Sequence, residues 1–154
     1  MSIISRVITF DNPAFNAYVT YGSVLVLKMM IMAPLTVKQR LTRGVPISPE
    51  DSNVYKGKQL RKSHEDVDRV RRAHLNDLEN IPIFFLVAFA YLLTDPDPTT
   101  ALNLFRVFTL ARFIHTFVYA IVVVPQPARG LAWVTGFLIT GYMAVKAICH
   151  FKTF

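Results

Sequence analysis

Long apolar segments alternate with short polar ones along this chain, and the pattern predicts four long helices. Each segment is long enough, at about 1.5 Å rise per residue, to cross a hydrocarbon core of about 30 Å. They cover approximately residues 14–37, 72–93, 101–124 and 130–149. We therefore predict an all-α integral membrane protein with a single transmembrane domain, residues 1–154, built as a four-helix bundle.

The connections between these segments predict the packing and the orientation of the helices. TDPDPTT (94–100) and PQPA (125–128) are tight, proline-rich turns, so the second, third and fourth helices are expected to pack as antiparallel neighbours. The long connection, residues 38–71, is polar and basic, and the positive-inside rule places it in the cytosol. Pro34 and Pro82 predict a helix end and a kink.

Composition agrees with a membrane protein and excludes several other classes. The chain is 53% hydrophobic, yet its 17 Lys and Arg outnumber its 10 Asp and Glu. Most of the basic residues lie between Lys38 and Arg72, without the aromatic interleaving or motifs of nucleic-acid binders, so no nucleic-acid partner is expected. Cys149 is the single cysteine, which excludes an intramolecular disulfide. No metal-ligand spacing is present, so no metal is expected.

The second predicted helix carries polar side chains that are energetically costly to place in a membrane. Ionisable residues inside membrane spans are costly and by default suggest function. Arg72, Asn76 and Glu79 are spaced i, i+4, i+7, so they share one face of the helix, whereas Asp77 points well away from it. Without these polar turns the second apolar segment is too short to span, so they must lie inside or at the edge of the membrane.

The third helix carries a second polar stripe, in which Arg112, His115 and Tyr119 fall at i, i+3, i+7. Lys28 lies in the middle of the first predicted span. We interpret Lys28, Asp77 and Arg112 as structural, with an intramembrane ion pair of Asp77 to either Lys28 or Arg112. Whether Arg112 and His115 bind a ligand or only join two helices stays open at this point.

The predicted topology brings several of these residues to one level near the cytosolic side. They are Arg40, Arg72, Glu79, Tyr119 and Arg129, the last of which opens the fourth helix. Arginine forks bind carboxylates bidentately, and a carboxylate such as that of Glu79 can receive an ammonium group. The set therefore suits an anionic, zwitterionic, peptide-like ligand with two carboxylates and one amine.

Three motifs occur on these helices in an order that resembles a known superfamily. They are RVRRAHLNDLENIP from Arg69, ARFIHTFVY from Ala111 and PQPARGLAW from Pro125. They resemble the membrane-associated proteins in eicosanoid and glutathione metabolism, and within that superfamily most resemble the microsomal glutathione transferase branch. Microsomal prostaglandin E synthase is the related branch. The match covers about the whole chain from Phe15 onward.

The resemblance implies a homotrimer in the endoplasmic reticulum membrane or also the mitochondrial outer membrane, surrounded by membrane lipids. Glutathione, the co-substrate, would bind between neighbouring subunits near the cytosolic face. The family's glutathione-binding set matches Arg40, Arg72, Asn76, Glu79, His115, Tyr119 and Arg129. Arg129 also matches the arginine beside the glutathione sulfur, which makes it the expected catalytic residue.

The resemblance further implies a transferase that conjugates the glutathione thiolate to hydrophobic electrophiles and also reduces lipid hydroperoxides. A glutathione-dependent prostaglandin E synthase, which is an isomerase, is the alternative. Gly130 and Leu75 disfavour it, because the synthase branch has a serine and an arginine there. Trp133 replaces a tyrosine or phenylalanine of that branch. A non-catalytic membrane protein that binds lipids or a partner is a further alternative.

Overall fold

The structure, a computed structural model, describes residues 6–55 and 59–152. This part of the chain contains four long helices: α1, Pro13–Arg43; α2, Glu65–Leu92; α3, Pro98–Thr116; and α4, Ala128–Phe151. A 3₁₀ segment, Pro49–Tyr55, lies between α1 and α2, and a short π-helix, Phe117–Ile121, continues α3. All four helices are long and apolar enough to cross a membrane. The predicted all-α architecture with four candidate spans is therefore confirmed.

Short polar side chains and one glycine define the ends of α1 and α3. Asn12 Oδ1 accepts the Ala14 N–H at 2.9 Å, and Asp97 Oδ2 accepts the Thr100 N–H at 2.8 Å, so both helices begin with side-chain caps. The hydrogen bonds from Thr100 lower the pKa of the Asp97 carboxyl. Gly44 ends α1 at φ 68°, a left-handed conformation that glycine adopts without strain.

Two helices, α1 and α2, extend more than one turn beyond the predicted spans. α1 runs past residue 37 to Arg43 and continues through Pro34, so the prediction that Pro34 ends the helix was wrong. α2 begins at Glu65 rather than at residue 72, because His64 caps it and its first turn carries three acidic side chains that favour a helix N-terminus. Both ends of the predicted 38–71 loop are thus helical.

The helices pack as a bundle in which α1 and α4 each lie mainly against α2 and α3. The interface between α2 and α3 is smaller. The tight turn that joins these two helices had predicted that they would pack closely. Aromatic side chains fill the core, where the rings of Phe84 and Phe108 stack at 3.8 Å and Phe105 meets Phe84 edge-on at 5.9 Å. α4 packs against this core at Gly136, where a Cβ would be in van der Waals contact with the Phe108 ring at 3.4 Å.

A fully buried carboxylate joins three of the four helices. Asp77 of α2 is 0% exposed, and its Oδ1 accepts hydrogen bonds from Arg112 Nη2 at 2.6 Å and Nε at 3.2 Å. Its other oxygen, Oδ2, accepts a hydrogen bond from Lys28 Nζ of α1. Both ion pairs that the sequence offered as alternatives are present. Since Arg112 and Lys28 are buried too, each cation depends on Asp77 for its compensating charge.

We expect Asp77→Asn to destabilise the fold by about 3–5 kcal/mol, because it leaves two buried cations without a compensating carboxylate. Lys28→Met should cost less, since the pair between Asp77 and Arg112 survives. Thermal unfolding of the purified protein in detergent measures both effects.

Asp68→Asn is the matched control, because Asp68 is a partly exposed acid of the same helix that lies 3.7 Å from Arg71. It should change stability little. An Asp77→Asn protein that unfolds at the wild-type temperature would contradict the role assigned to the buried cluster.

Candidate functional site

A cavity of about 390 Å³ opens beside α2, the π-helix and α4, at the end of the bundle that carries the long connection. Nine residues line it: Arg72, Leu75, Asn76, Glu79, His115, Tyr119, Arg129, Gly130 and Trp133. Six of the seven sequence-predicted ligand residues thus lie around one space. The seventh, Arg40, does not line it.

Tyr119 lies in the π-helical turn and lines this cavity. The Val122 N–H donates to the Phe117 carbonyl at 2.8 Å, a bond to the fifth residue back that makes the turn wider than an α-helical one. Such wide turns are frequent at functional sites. The spacing of Tyr119 from His115 still brings their rings together, edge-on at 5.7 Å.

Tyr119 lies between two arginines of the cavity. Arg72 Nε donates to the Tyr119 hydroxyl at 2.9 Å, and the guanidinium carbon of Arg129 lies 4.2 Å from the centre of the Tyr119 ring. A guanidinium over a ring face keeps its in-plane N–H donors free at its edges. Within the described residues no carboxylate pairs with Arg129. Its charge is therefore available to a ligand.

The buried ion cluster orients one of the cavity residues. Arg112 Nη2 donates to Asn76 Oδ1 at 2.8 Å, and an arginine can only donate, so the oxygen of the amide is committed to this bond. The Asn76 amide nitrogen is then left as a donor for the cavity. Asn76 therefore offers an N–H to an acceptor such as a carboxylate or a peptide carbonyl.

Glu79 and His115 occupy different environments in the cavity wall. Glu79 is exposed, and among the residues that the structure describes no cation pairs with it. Its carboxylate is free to accept an ammonium group. His115 is buried, and its Nδ1 has no hydrogen-bond partner among the described residues. The described residues contain no group of three or more acidic, His or Cys side chains that could hold a metal ion.

Arg40 lies in a second groove, between α1 and α2. Its Nη1 is 3.4 Å from the carbonyl oxygens of Val45 and Pro46, and the groove also contains Arg71 and His74. Leu75 lines both this groove and the cavity, so the two lie side by side on α2. One chain alone does not bring Arg40 together with the other six residues.

Sequence reasoning assigned no ligand contact to three residues of the cavity wall. These residues, Leu75, Gly130 and Trp133, add apolar surface to the cavity wall. Spacing could have identified two of them, since Leu75 lies at i+3 from Arg72 and Trp133 at i+4 from Arg129. Gly130 follows Arg129 directly, a spacing that does not place it on the same face. The cavity thus offers both charged groups and apolar surface to a ligand.

Comparisons with known proteins cover nearly the whole chain. The MAPEG family model matches residues 18–149. The chain is 43% identical over 142 residues to "Microsomal glutathione S-transferase 1" of Mus musculus and 42% identical over 142 residues to that of Homo sapiens, each match covering 90% of this chain and 91% of the relative. It is 37% identical over 141 residues to "Prostaglandin E synthase" of Canis lupus familiaris, covering 89% of this chain and 92% of the relative.

We expect the cavity to tolerate a serine at position 130. A Cβ at Gly130 would meet the Gln126 Oε1 at 3.2 Å, which is the far end of a flexible, exposed side chain. Gly130→Ser should therefore leave the unfolding temperature nearly unchanged, since the better helix propensity of serine offsets the small adjustment. Thermal unfolding in detergent measures this.

Gly136→Leu provides the contrast, because a Cβ at this position would already be in van der Waals contact with the buried Phe108 ring, so a larger side chain would press on it. It should cost about 1–3 kcal/mol. Equal unfolding temperatures for the two variants would contradict the packing described at both glycines.

Proposed function

This chain belongs to the MAPEG family, and on that premise we propose that it is a glutathione transferase that conjugates glutathione to hydrophobic electrophiles. The observation that carries the proposal is the cavity itself, where the cation of Arg129 and the carboxylate of Glu79 both lack a charged partner among the described residues. The relatives named microsomal glutathione S-transferase 1 support this activity.

The charges of the cavity complement those of the tripeptide. Glutathione has two carboxylates and one ammonium group at neutral pH. In the proposed complex Arg72 binds a carboxylate, Glu79 accepts the ammonium group, and the Asn76 amide donates to a carboxylate or peptide oxygen. Desolvated donors and acceptors with matched partners give specificity, because a ligand that lacks one group leaves its partner unpaired.

Arg129 is the proposed catalytic residue. A thiol with a pKa of about 8.5 is only a few per cent ionised at neutral pH, and a neighbouring cation lowers that pKa. The guanidinium of Arg129, stacked on Tyr119, would stabilise the thiolate, which attacks an electrophilic carbon and displaces its leaving group as an anion. The same thiolate would attack the oxygen of a lipid hydroperoxide, with a second glutathione completing the reduction to a disulfide, an alcohol and water.

The electrophile is proposed to arrive from the bilayer. Apolar molecules concentrate in lipid, and Leu75 and Trp133 line the same cavity as the polar groups proposed to hold glutathione. The relatives' name "microsomal" supports placement in the endoplasmic reticulum membrane.

We further propose that a homotrimer completes the site, with a second copy supplying Arg40. Arg40 lies in a groove separate from the cavity, on the other side of Leu75. A neighbouring subunit could present its Arg40 to the ligand across the interface, so that each site contains residues from two chains.

The alternative activity is a glutathione-dependent prostaglandin E synthase, which the 37% identity to that relative favours. An isomerase does not consume glutathione, whereas a transferase uses one molecule per turnover. Measured loss of free thiol during turnover separates these two activities. Saturable binding of glutathione would count against a non-catalytic lipid- or partner-binding protein.

Arg129→Ala should lower kcat with a model aryl halide by about tenfold at neutral pH, the fall in thiolate fraction that a rise of one pKa unit produces. The affinity for glutathione should change less, because the carboxylate and ammonium contacts remain. Steady-state rates across pH, together with ultraviolet detection of the bound thiolate, measure both.

Arg129→Lys is the matched variant, since it keeps a point charge and should retain part of the activity at neutral pH. Full conjugation activity in Arg129→Ala would remove this residue from the mechanism.

Arg72→Ala and Glu79→Gln should each weaken glutathione binding by about tenfold, because each removes a charge-assisted contact. Both variants should keep much of kcat at saturating glutathione. Calorimetric titration and KM measure the effect. Lys38→Ala, which removes an exposed cation at the end of α1 away from the cavity, should leave affinity unchanged; an equal loss there would indicate only a general effect of net charge.

A further inference from the structure

The guanidinium of Arg72 is already engaged by an acid of its own chain. Its Nε donates to the Tyr119 hydroxyl at 2.9 Å, and its Nη2 donates to Glu65 Oε1 at 2.7 Å. Nε and Nη2 form one edge of the arginine fork, the edge that can bind a carboxylate side-on through two parallel hydrogen bonds. Glu65 therefore occupies a position that a ligand carboxylate would take.

Glu65 can leave this position without losing all its partners. It is the first residue of α2, two helical turns before Arg72, and the same Oε1 lies 3.4 Å from Arg69 Nη2. The side chains of Arg72 and Glu65 are 48% and 60% exposed. Ion pairs of such exposed groups are weak, so a ligand carboxylate can displace Glu65 toward Arg69.

We propose that Glu65 is an internal competitor for Arg72, an autoinhibitory carboxylate whose displacement sets the affinity of the cavity for the carboxylate of its ligand. The inference rests on the proposed function only in taking glutathione as that ligand. Arg72 recognises a carboxylate of the ligand, and Glu65, which the sequence did not connect with the site, competes for the same donor.

Two contributions both predict that the ligand binds more tightly when residue 65 loses its charge. Removing the charge of Glu65 weakens its hydrogen bond to Nη2 of Arg72, because a neutral amide oxygen is a poorer acceptor than a carboxylate. It also removes a negative charge from the path of an anionic ligand. Arg72 stays oriented, because the Tyr119 hydroxyl still accepts the hydrogen bond from its Nε. Loss of Glu65 therefore tightens binding rather than weakening it.

The test compares three variants, two at Glu65 and one at Asp68, of the full-length protein in detergent. Glu65→Gln is expected to lower the Kd and the KM for glutathione by about two- to fivefold, the range of an exposed ion pair, with little change in kcat. Glu65→Asp keeps the charge but shortens the side chain, so it should give a smaller gain. Asp68→Asn removes the same charge one turn along the helix, where the partner is Arg71 outside the cavity, and should leave Kd unchanged.

Weaker binding by Glu65→Gln would overturn the proposal, because Glu65 would then position Arg72 instead of competing for it. Unchanged binding by Glu65→Gln, or an equal gain in Asp68→Asn, would overturn it as well, since a direct contact requires a difference between the two acids. Failure of the wild-type protein to bind glutathione would contradict the proposed function. That outcome is distinct from failure of the role assigned to Glu65, which shows as wild-type binding without the expected gain in Glu65→Gln.

Discussion

The fold depends on a single buried carboxylate that compensates two buried cations. Asp77 has no exposed surface, and its two oxygens accept from Lys28 on one side and Arg112 on the other. Charges in hydrocarbon are tolerated only when they are paired, so the three helices that carry these residues cannot separate or rotate independently. Arg112 also donates a hydrogen bond to Asn76 Oδ1, and this bond connects the bundle core to the cavity wall.

The pairing of charged side chains differs between the core and the cavity. In the core every ionised group has an opposite charge beside it, whereas Arg129 and Glu79 at the cavity have no charged partner among the described residues. In the proposed complex a zwitterionic ligand would compensate both charges. Tyr119 contacts two arginines of the cavity without neutralising either, because its hydroxyl accepts from Arg72 and its ring face lies against Arg129.

The existence of four helices could be predicted, since a membrane fixes both the length and the apolar character of a span. The polar stripes could be predicted as well, because helical spacing decides which residues share a face. The ends of the helices could be predicted less well from the sequence. Glu65 starts α2 through a His64 cap, and α1 continues through Pro34, because packing against neighbouring helices outweighs the local preference of a proline.

The sequence by itself determined the span pattern, the faces that carry Arg72, Asn76 and Glu79, and the need of Asp77 for a cationic partner. Only the tertiary structure decided that Asp77 takes both Lys28 and Arg112, that Arg40 lies apart from the cavity, and that Glu65 reaches Arg72. Spacing along one helix fixes relative angles on that helix. The rotation of one helix against another, and the reach of long side chains, depend on packing that no single segment encodes.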